Sequence, residues 1–388
     1  MKVLFIPDVS EYGGAYNSFC EMVYCLHENH GVEPIILTAR KGKYVEFAKK
    51  NGFEYLVVKY RPFYLQKGNT LEIRLAKFLV LPFLYVDYMF AKISIIKKID
   101  KNLDIASIDL IHSNVNRDDV GAILSNYYCI PHVWHLREPS EKNRYYSFKK
   151  NFIEYMNNSC MSFIAISDMV KEEWEERGIQ RGKIIKIYNG IDTSRFYHEK
   201  KDSIGNTIKI VMAGRIALHK GQIILLKAIA LLPEKTRKKI KIDFYGSSEF
   251  AYQRRLDKFI KQTGIGENIS FYEYDTCIEE KLTHYDIGLM CSNNEGFGRV
   301  TVEYMLAGLC VIASDSGANP EIIEDGVTGL LYKNNNEADL ASVIETICNN
   351  KDQIRFIGKR AQEIARIKFS REQNADKVYG LYKSLLDK

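Results

Sequence analysis

The sequence has little of what zinc sites, disulfide frameworks and membrane-spanning chains require. Its eight cysteines are scattered and include no Cys-x-x-Cys pair, a spacing that argues against both a zinc site and a disulfide framework. No run of about 18 uninterrupted apolar residues is present, as a spanning helix would need. The first residues are typical of a short buried strand rather than a cleavable signal. We therefore expect reduced cysteines and a cytoplasmic protein.

The composition is that of a globular chain with one basic segment. Apolar residues make up 46% and charged residues 27% of the 388 residues, and the net charge is +6. The segment 59–101 carries the whole imbalance, with nine basic and three acidic residues, and is rich in aromatic side chains. This pattern is typical of peripheral contact with the inner face of a membrane, but equally of a core helix with a solvated basic face. The modest, localised charge does not indicate a nucleic-acid partner.

Strand and helix patterns alternate in both halves of the chain. Lys2–Pro7 and Ile208–Ala213 are apolar strands that open the two series, and each is followed by a glycine-containing loop and a helix. This alternation predicts an α/β fold of two doubly wound Rossmann-like domains facing a cleft. We place the domains at 1–188 and 207–369, with a polar linker at 189–206. A last helix of about 370–388 is expected to return to the first domain.

A glycine-bearing loop with two glutamates follows the predicted strand Ile287–Met290. It contains Glu295, the run Gly296-Phe297-Gly298 and, eight positions after Glu295, Glu303. Such a loop between a strand and a helix exposes backbone N–H groups that suit a phosphate. The two carboxylates suit the hydroxyls of a sugar and of a ribose. A plain strand–helix turn with two solvated glutamates is the alternative interpretation.

A second loop places two basic residues at the end of another strand. Ala213-Gly-Arg215 ends the strand, and Lys220-Gly221 opens the following helix. A guanidinium and an ammonium there can neutralise a diphosphate and stabilise it as a leaving group. Basic residues at strand ends are often simply solvated, but the glutamate loop favours the functional interpretation.

Together these motifs resemble glycosyltransferase family 4, the group 1 glycosyltransferases of the GT-B fold. The resemblance covers nearly the whole chain and is strongest over 162–331. Supporting pieces are Gly13-Gly14 in the first loop, the run from Pro131 to Glu138, Tyr188-Asn-Gly-Ile-Asp192 and Ser314-Asp-Ser-Gly317. The stretch 271–276 departs from the family by lacking a glycine, so the resemblance does not define the nucleotide base.

The resemblance implies a role for each matching residue. Arg215 and Lys220 would hold the donor diphosphate, Glu295 would bind the transferred sugar, and Glu303 would bind the ribose. His135 would lie beside the donor sugar near the reacting carbon. The expected catalytic residues are His135, Glu295, Arg215 and Lys220. The expected donor-binding residues are Gly14, Arg215, Lys220, Glu295, Gly296, Phe297, Gly298 and Glu303.

The resemblance also implies a reaction: retaining transfer of a sugar from a UDP- or GDP-sugar to a saccharide or lipid-linked saccharide, as in cell-surface polysaccharide synthesis. No cofactor or metal is expected, and the absence of an Asp-x-Asp triplet agrees with this. Two alternatives stay open: a nucleotide-sugar epimerase on the same fold and a non-catalytic nucleotide-sugar-binding subunit. A dinucleotide oxidoreductase is disfavoured because the first loop lacks Gly-x-Gly-x-x-Gly.

Overall fold

The computed structural model describes residues 1–9, 11, 13–60, 62–66, 71–140, 145–149, 151–198 and 204–387, with the backbone alone for 64–66 and 145–146. Tyr12 of the first loop, Arg61 and Lys67 of the basic segment, and 199–203 of the expected linker lie outside the described residues. The chain divides into two compact units. Unit 1 comprises residues 1–190 and 371–388, and unit 2 comprises 191–370.

Unit 1 is built on a parallel sheet that, among the described residues, has seven strands in the order β3-β2-β1-β5-β6-β8-β9. Strands β4 and β7 pair separately and antiparallel. The strands are β1 Lys2–Ile6, β2 Glu33–Thr38, β3 Glu54–Val57, β4 Tyr64–Gln66, β5 Leu110–Ser113, β6 His132–Leu136, β7 Tyr145–Ser147, β8 Ser162–Ala165 and β9 Ile184–Lys186. The helices are α1 Gly14–His30, α2 Lys43–Lys50, α3 Leu71–Asn102, α4 Val120–Tyr128, α5 Phe152–Asn158 and α6 Asp168–Arg177.

Unit 2 is built on a parallel sheet with, among the described residues, six strands in the order β12-β11-β10-β13-β14-β15. The strands are β10 Ile208–Ala213, β11 Ile240–Tyr245, β12 Ile269–Tyr272, β13 Ile287–Met290, β14 Cys310–Ser314 and β15 Leu330–Tyr332. The helices are α7 Thr193–Phe196, α8 Gln222–Leu231, α9 Glu234–Arg237, α10 Phe250–Thr263, α11 Ile278–Leu282, α12 Arg299–Leu306, α13 Asn319–Ile322, α14 Glu337–Cys348 and α15 Lys351–Lys368.

The central strands of both sheets are covered on both faces, which explains their continuous apolar sequences. Every residue of β5, β6, β13 and β14 is buried. In unit 2 the sheet packs beneath α8, α14 and α15 in one core. In both sheets the strand order reverses beside the first strand, between β1 and β5 and between β10 and β13. Such reversal points are where doubly wound sheets bind ligands.

The described residues of the expected linker, 189–198 and 204–206, do not form a separate element. Ile191 pairs with Ser370 in an isolated bridge and α7 follows at once, so the chain enters unit 2 directly after Gly190. The last helix, α16 Arg371–Leu386, lies in unit 1 and packs along α1. Its Val378 and Tyr382 are fully buried in the same core as Phe5 and Phe19.

Helix α3 is unusual because most of its apolar side chains are exposed. Of its described residues only Tyr88, Ile95 and Ile99 are buried, while Phe83 is 76% and Phe90 is 68% exposed. Within the described part of the chain it is the one helix long and apolar enough to cross a membrane, with a mean hydropathy of 1.7 over its most apolar 18 residues. Charged residues interrupt the apolar sequence of α3, so this helix contains no uninterrupted run of about 18 apolar residues. The interpretation of this segment as a core helix is therefore wrong for its exposed part.

The packing of α16 on α1 gives a stability prediction. Leu385→Ala removes a side chain that is 8% exposed, so we expect it to lower the free energy of unfolding of unit 1 by about 2 kcal/mol or more. Lys383→Ala, on the exposed face of the same helix, should change it by less than about 0.5 kcal/mol. Denaturant unfolding of both variants measures the difference. Equal stabilities would contradict the assignment of α16 to the core of unit 1.

Candidate active site

The candidate site in unit 2 begins at the reversal point of its sheet. The parallel strands β10 and β13 are direct neighbours, with Ile210 paired to Ile287. Because both run in the same direction, the loop after β10 and the loop after β13 leave the same edge of the sheet. Those loops contain Arg215 and Glu295 respectively. The structure therefore brings the two sequence motifs together at one strand edge.

Glycines allow the two loops to approach each other. Gly221 has φ +75°, and a Cβ added there would lie 2.1 Å from the carbonyl oxygen of Cys291. A side chain is therefore excluded both by conformation and by space. The turn Leu218–Lys220 before it is held against the second loop, since the Asn293 N–H donates to the His219 carbonyl at 3.4 Å. Gly221 thus fixes the position of Lys220.

Lys220 and Glu295 form an ion pair across the two loops. The Lys220 Nζ donates to Glu295 Oε1 at 2.5 Å, and both side chains are largely buried, with 26% and 21% exposed. Burial raises the pKa of Glu295, but the Lys220 ammonium and its hydrogen bond lower it more, so the pKa lies below the ordinary glutamate value. Glu295 is therefore a carboxylate at neutral pH, and Lys220 is held beside it as a cation.

Arg215 extends from the end of β10 toward solvent. Its side chain is 61% exposed and lies 3.2 Å from Glu249. Gln222 fixes the backbone below it by donating to the Arg215 carbonyl at 3.0 Å. An exposed pair of this kind contributes little to stability, so Arg215 can exchange Glu249 for another anion at small cost. Sequence analysis missed Glu249, whose only local signal is its place after the neighbouring strand β11.

The glycine loop ends at the N-terminus of α12. Gly298 occupies the N-cap position with φ +66°, and no side chain caps the helix there. The partial positive charge at such a helix N-terminus favours an anion. The Phe297 side chain is buried against Phe369, with ring centroids 5.8 Å apart. Of the expected donor-binding residues 296–298, Phe297 therefore offers only its backbone.

Glu303 lies closer to the start of α12 than its distance from Glu295 suggests. Glu303 follows Glu295 by eight residues, but α12 begins only at Arg299, so Glu303 is little more than one turn into the helix. It is 9% exposed, and its Oε1 accepts from the Arg299 Nε at 2.8 Å. Sequence analysis missed Arg299, although the spacing of four residues on a helix is a recognised signal for such a pair.

The remaining expected residues, Gly14 and His135, lie in unit 1. Gly14 is the first residue of α1, and Gly13 before it has φ +82° and no side-chain cap. His135 lies near the carboxyl end of β6 and is completely buried. Burial, reinforced by the charge of Arg137, lowers the pKa of His135 well below its usual value, so the imidazole is neutral.

A cavity lined by described residues of unit 2 lies elsewhere. It has a volume of about 940 Å³ and opens at the amino ends of β10 and β13, where Lys209, Asp286 and Gly308 line it. Arg215, Lys220, Glu295 and Glu303 lie at the opposite edge of the same sheet. It is not the site that the sequence motifs form.

Two family models match consecutive parts of the chain. "Glycosyltransferase Family 4" matches residues 12–195, and "Glycosyl transferases group 1" matches 193–364. This chain is a family 4-like group 1 glycosyltransferase. The resemblance noted from the sequence motifs is thereby confirmed.

Curated relatives and solved structures agree with this assignment. The glycosyltransferase is 29% identical over 302 residues to the uncharacterised glycosyltransferase MJ1178 of Methanocaldococcus jannaschii, covering 75% of this chain and 80% of the relative. It is 28% identical over 201 residues to the poly(ribitol-phosphate) α-N-acetylglucosaminyltransferase of Staphylococcus aureus, covering 52% of this chain and 38% of that one.

The crystal structure of Anabaena Alr3699/HepE in complex with UDP-glucose gives the fold comparison. It superposes with a TM-score of 0.77 and 22% identity, over 99% of this chain and all of that one. This likeness, with the two parallel-sheet units, confirms the predicted GT-B architecture of two Rossmann-like domains.

The Lys220–Glu295 pair gives a titration prediction. Lys220→Met removes the largest influence that lowers the pKa of Glu295 against the effect of burial, so we expect this pKa to rise above the wild-type value. Carbon-13 NMR titration of the side-chain carboxyl measures this. Because the folded wild-type pKa is lowered, the pair stabilises the protein above the ordinary glutamate pKa and loses this contribution as the pH falls through the folded value. An unchanged Glu295 pKa in the variant would contradict the pairing.

Proposed function

We propose that this glycosyltransferase moves a sugar from a UDP- or GDP-sugar to a saccharide or lipid-linked saccharide, with retention of anomeric configuration and without a metal ion. The observation that carries the proposal is the group of Arg215, Lys220 and Glu295 at the reversal point of the unit 2 sheet. Two cations, a carboxylate and an uncapped helix N-terminus suit the phosphates and hydroxyls of a nucleotide sugar.

Each residue has a distinct role in the proposal. Arg215 leaves Glu249, and Lys220 turns from Glu295, to hold the two phosphates of the donor. Glu295 then accepts hydrogen bonds from hydroxyls of the transferred sugar, and Glu303 binds the ribose. Gly14 provides a close backbone approach to phosphate, and His135 acts on the donor sugar. The complex of HepE with UDP-glucose and the resemblance of these residues to the family support these roles.

The reaction follows from where charge develops. As the bond between the anomeric carbon and the phosphate oxygen breaks, the sugar becomes oxocarbenium-like and the leaving diphosphate gains negative charge. Arg215 and Lys220 stabilise that charge, which is the role of a divalent cation in other transferases. The leaving phosphate oxygen takes the proton of the incoming hydroxyl, which attacks from the same face. This order of events retains the configuration.

The acceptor belongs to cell-surface polysaccharide synthesis in our proposal, and the protein acts in the cytoplasm at the inner face of the membrane. The similarity to a poly(ribitol-phosphate) α-N-acetylglucosaminyltransferase supports a polymeric or lipid-linked acceptor. An epimerase on the same fold would convert the donor with no acceptor present. A non-catalytic subunit would bind the donor without releasing nucleotide. Product analysis therefore separates the three functions.

Arg215→Ala tests the donor site. With EDTA present, UDP-, GDP- and ADP-sugars are compared by thermal shift and by nucleotide release. We expect one UDP- or GDP-sugar to stabilise the wild type, and Arg215→Ala to lose that shift and about 10²-fold of the rate, because a charge-stabilising donor is removed.

Arg360→Ala is the matched control. Arg360 is an exposed arginine of unit 2 on α15, 52% exposed and paired with Glu363, and its loss should leave both readouts unchanged. Wild-type affinity and turnover in Arg215→Ala would contradict the proposed role of Arg215.

Helix α3 supports the membrane contact through 59–101. Seven of its exposed large apolar residues, at positions 71, 75, 79, 83, 86, 90 and 93, share one side of the helix. Lys97, Lys98 and Lys101 are exposed at its C-terminal end, and the described helix has six basic and three acidic residues. An apolar face with flanking cations suits the surface of an anionic bilayer.

The contacts of α3 with the rest of unit 1 favour a helix that lies on the membrane surface over one that crosses the membrane. The Tyr88 hydroxyl donates to the buried carboxylate of Asp119 at 2.5 Å. Tyr85 packs edge-on against Phe148, with ring centroids 5.7 Å apart, and Ile95 and Ile99 lie in the core beneath the sheet. A crossing helix would have to break these contacts. We therefore propose that only the outer face of α3 enters the lipid.

Vesicle flotation tests this contact. Phe83→Glu with Phe90→Glu should abolish binding to vesicles of phosphatidylcholine and phosphatidylglycerol, since two charges would enter the apolar layer. Phe356→Glu is the control, because Phe356 is an exposed phenylalanine of unit 2, 67% exposed. Unaltered flotation of the double variant would count against lipid contact. Loss of a dimer in light scattering, with flotation unaltered, would assign the face to a second copy of the chain.

A further inference from the structure

Three fully buried polar side chains of unit 1 form a continuous line of hydrogen bonds. They are His135 on β6, His112 on β5 and Tyr382 on α16. His112 Nε2 lies 3.3 Å from His135 Nδ1, and His112 Nδ1 forms a short hydrogen bond with the Tyr382 hydroxyl. His135 Nε2, at the end of the line, has no hydrogen-bond partner among the described residues.

The sheet register and the last helix produce this line. His112 is paired with Val133 in the parallel ladder of β5 and β6. Val133 and His135 are two residues apart, so their side chains point to the same face of the sheet, as does that of His112. The core on that face includes Val133, Val378 and Tyr382. The return of α16 to unit 1 therefore brings a hydroxyl to His112 from 270 residues away.

The proton positions follow from hydrogen-bond accounting. Burial lowers the pKa of His112 and of His135 well below the usual value, and Arg137 lowers both further, so both rings are neutral. Each neutral ring has one donor and one acceptor nitrogen. Burial also raises the pKa of Tyr382 well above its usual value, so its hydroxyl keeps the proton.

The Tyr382 hydroxyl determines the direction of the line. If it accepted a hydrogen bond from His112, two buried groups would lack partners in the described structure, the Tyr382 proton and an acceptor nitrogen at His135 Nε2. The opposite direction leaves only the His135 Nε2–H without a partner, so it costs less free energy. It therefore donates to His112 Nδ1. The proton of His112 is then on Nε2 and is donated to His135 Nδ1. This leaves the proton of His135 on Nε2, the atom without a partner.

We propose that Tyr382 and His112 are positioning residues that hold His135 as the Nε2–H tautomer, so that it presents a hydrogen-bond donor to an oxygen of the transferred sugar. The sugar as recipient rests on the function proposed above, whereas the tautomer rests on unit 1 alone. In the opposite tautomer His135 Nε2 could only accept a hydrogen bond. Its lone pair would then repel a sugar oxygen that carries no hydrogen, such as the ring oxygen. Tyr382 and His112 act through His135 and do not touch the substrate.

Nitrogen-15 NMR measures the tautomers directly. Long-range proton–nitrogen correlation of the histidine-labelled protein, assigned with His112→Gln and His135→Gln, should show both rings as Nε2–H. His132 is the internal reference: its Nδ1 lies 2.9 Å from the Ser159 carbonyl oxygen, which can only accept, so it must be Nδ1–H. A His135 ring protonated on Nδ1 would overturn the proposal.

Tyr382→Phe tests the positioning role. It keeps the buried ring but removes the O–H, so His112 can adopt either tautomer, and we expect His135 to show a mixture. Donor turnover, kcat, should fall about tenfold with little change in KM, as for the loss of one hydrogen bond. Tyr379→Phe on the same helix, whose ring stacks on His30, should change neither. Thermal unfolding of both variants checks the fold.

The outcomes separate the two proposals. Unchanged His135 tautomer and kcat in Tyr382→Phe would overturn the positioning role even if the enzyme is an active transferase. A wild-type His135 in the Nε2–H form, in a protein that binds and cleaves no nucleotide sugar, would support the tautomer and overturn the proposed function.

Discussion

The candidate donor site depends on one ion pair held between two strand ends. The partly buried ammonium of Lys220 and the partly buried carboxylate of Glu295 stabilise each other's charge. Their positions are set by backbone rather than by side chains, because Gly221 lets one loop touch the carbonyl of Cys291 and Gly317 lets another touch Glu295. The backbone of these loops therefore sets where the charged side chains of the site begin.

The hydrogen-bonded line of His135, His112 and Tyr382 lies in unit 1 and depends on the path of the chain. The polypeptide leaves unit 1 after Gly190 and returns with α16, and this return places Tyr382 beside His112. Helix α3 belongs to the same unit, and its outer face is apolar. The outer face of an ordinary surface helix is polar. The predicted effect of α16 on stability, the proposed histidine tautomer and the proposed lipid contact of α3 therefore all depend on the unit 1 sheet and the helices beside it.

The sequence predicted the features that the backbone dictates. Apolar strands followed by glycine-bearing loops predicted the parallel sheets, which were found, and the neighbouring strands β10 and β13 bring the loops of Arg215 and Glu295 to one edge of the sheet. Strands β9 and β15, with three residues each, are too short to show a period and were missed. The pairs Arg215–Glu249 and His112–Tyr382 join residues distant in sequence, so no local pattern reveals them. The exposure of α3 was also hidden, because exposed and buried apolar helices can have the same composition.

The central claim is that protein cations replace a metal ion in a retaining transfer. Proton NMR of the anomeric signals during cleavage of a nucleotide sugar, with EDTA in excess and then with added Mg²⁺, tests it most directly. The account predicts a first-formed product with the configuration of the donor, at the same rate in both conditions. A product of inverted configuration, or cleavage that stops in EDTA and returns with Mg²⁺, would contradict it.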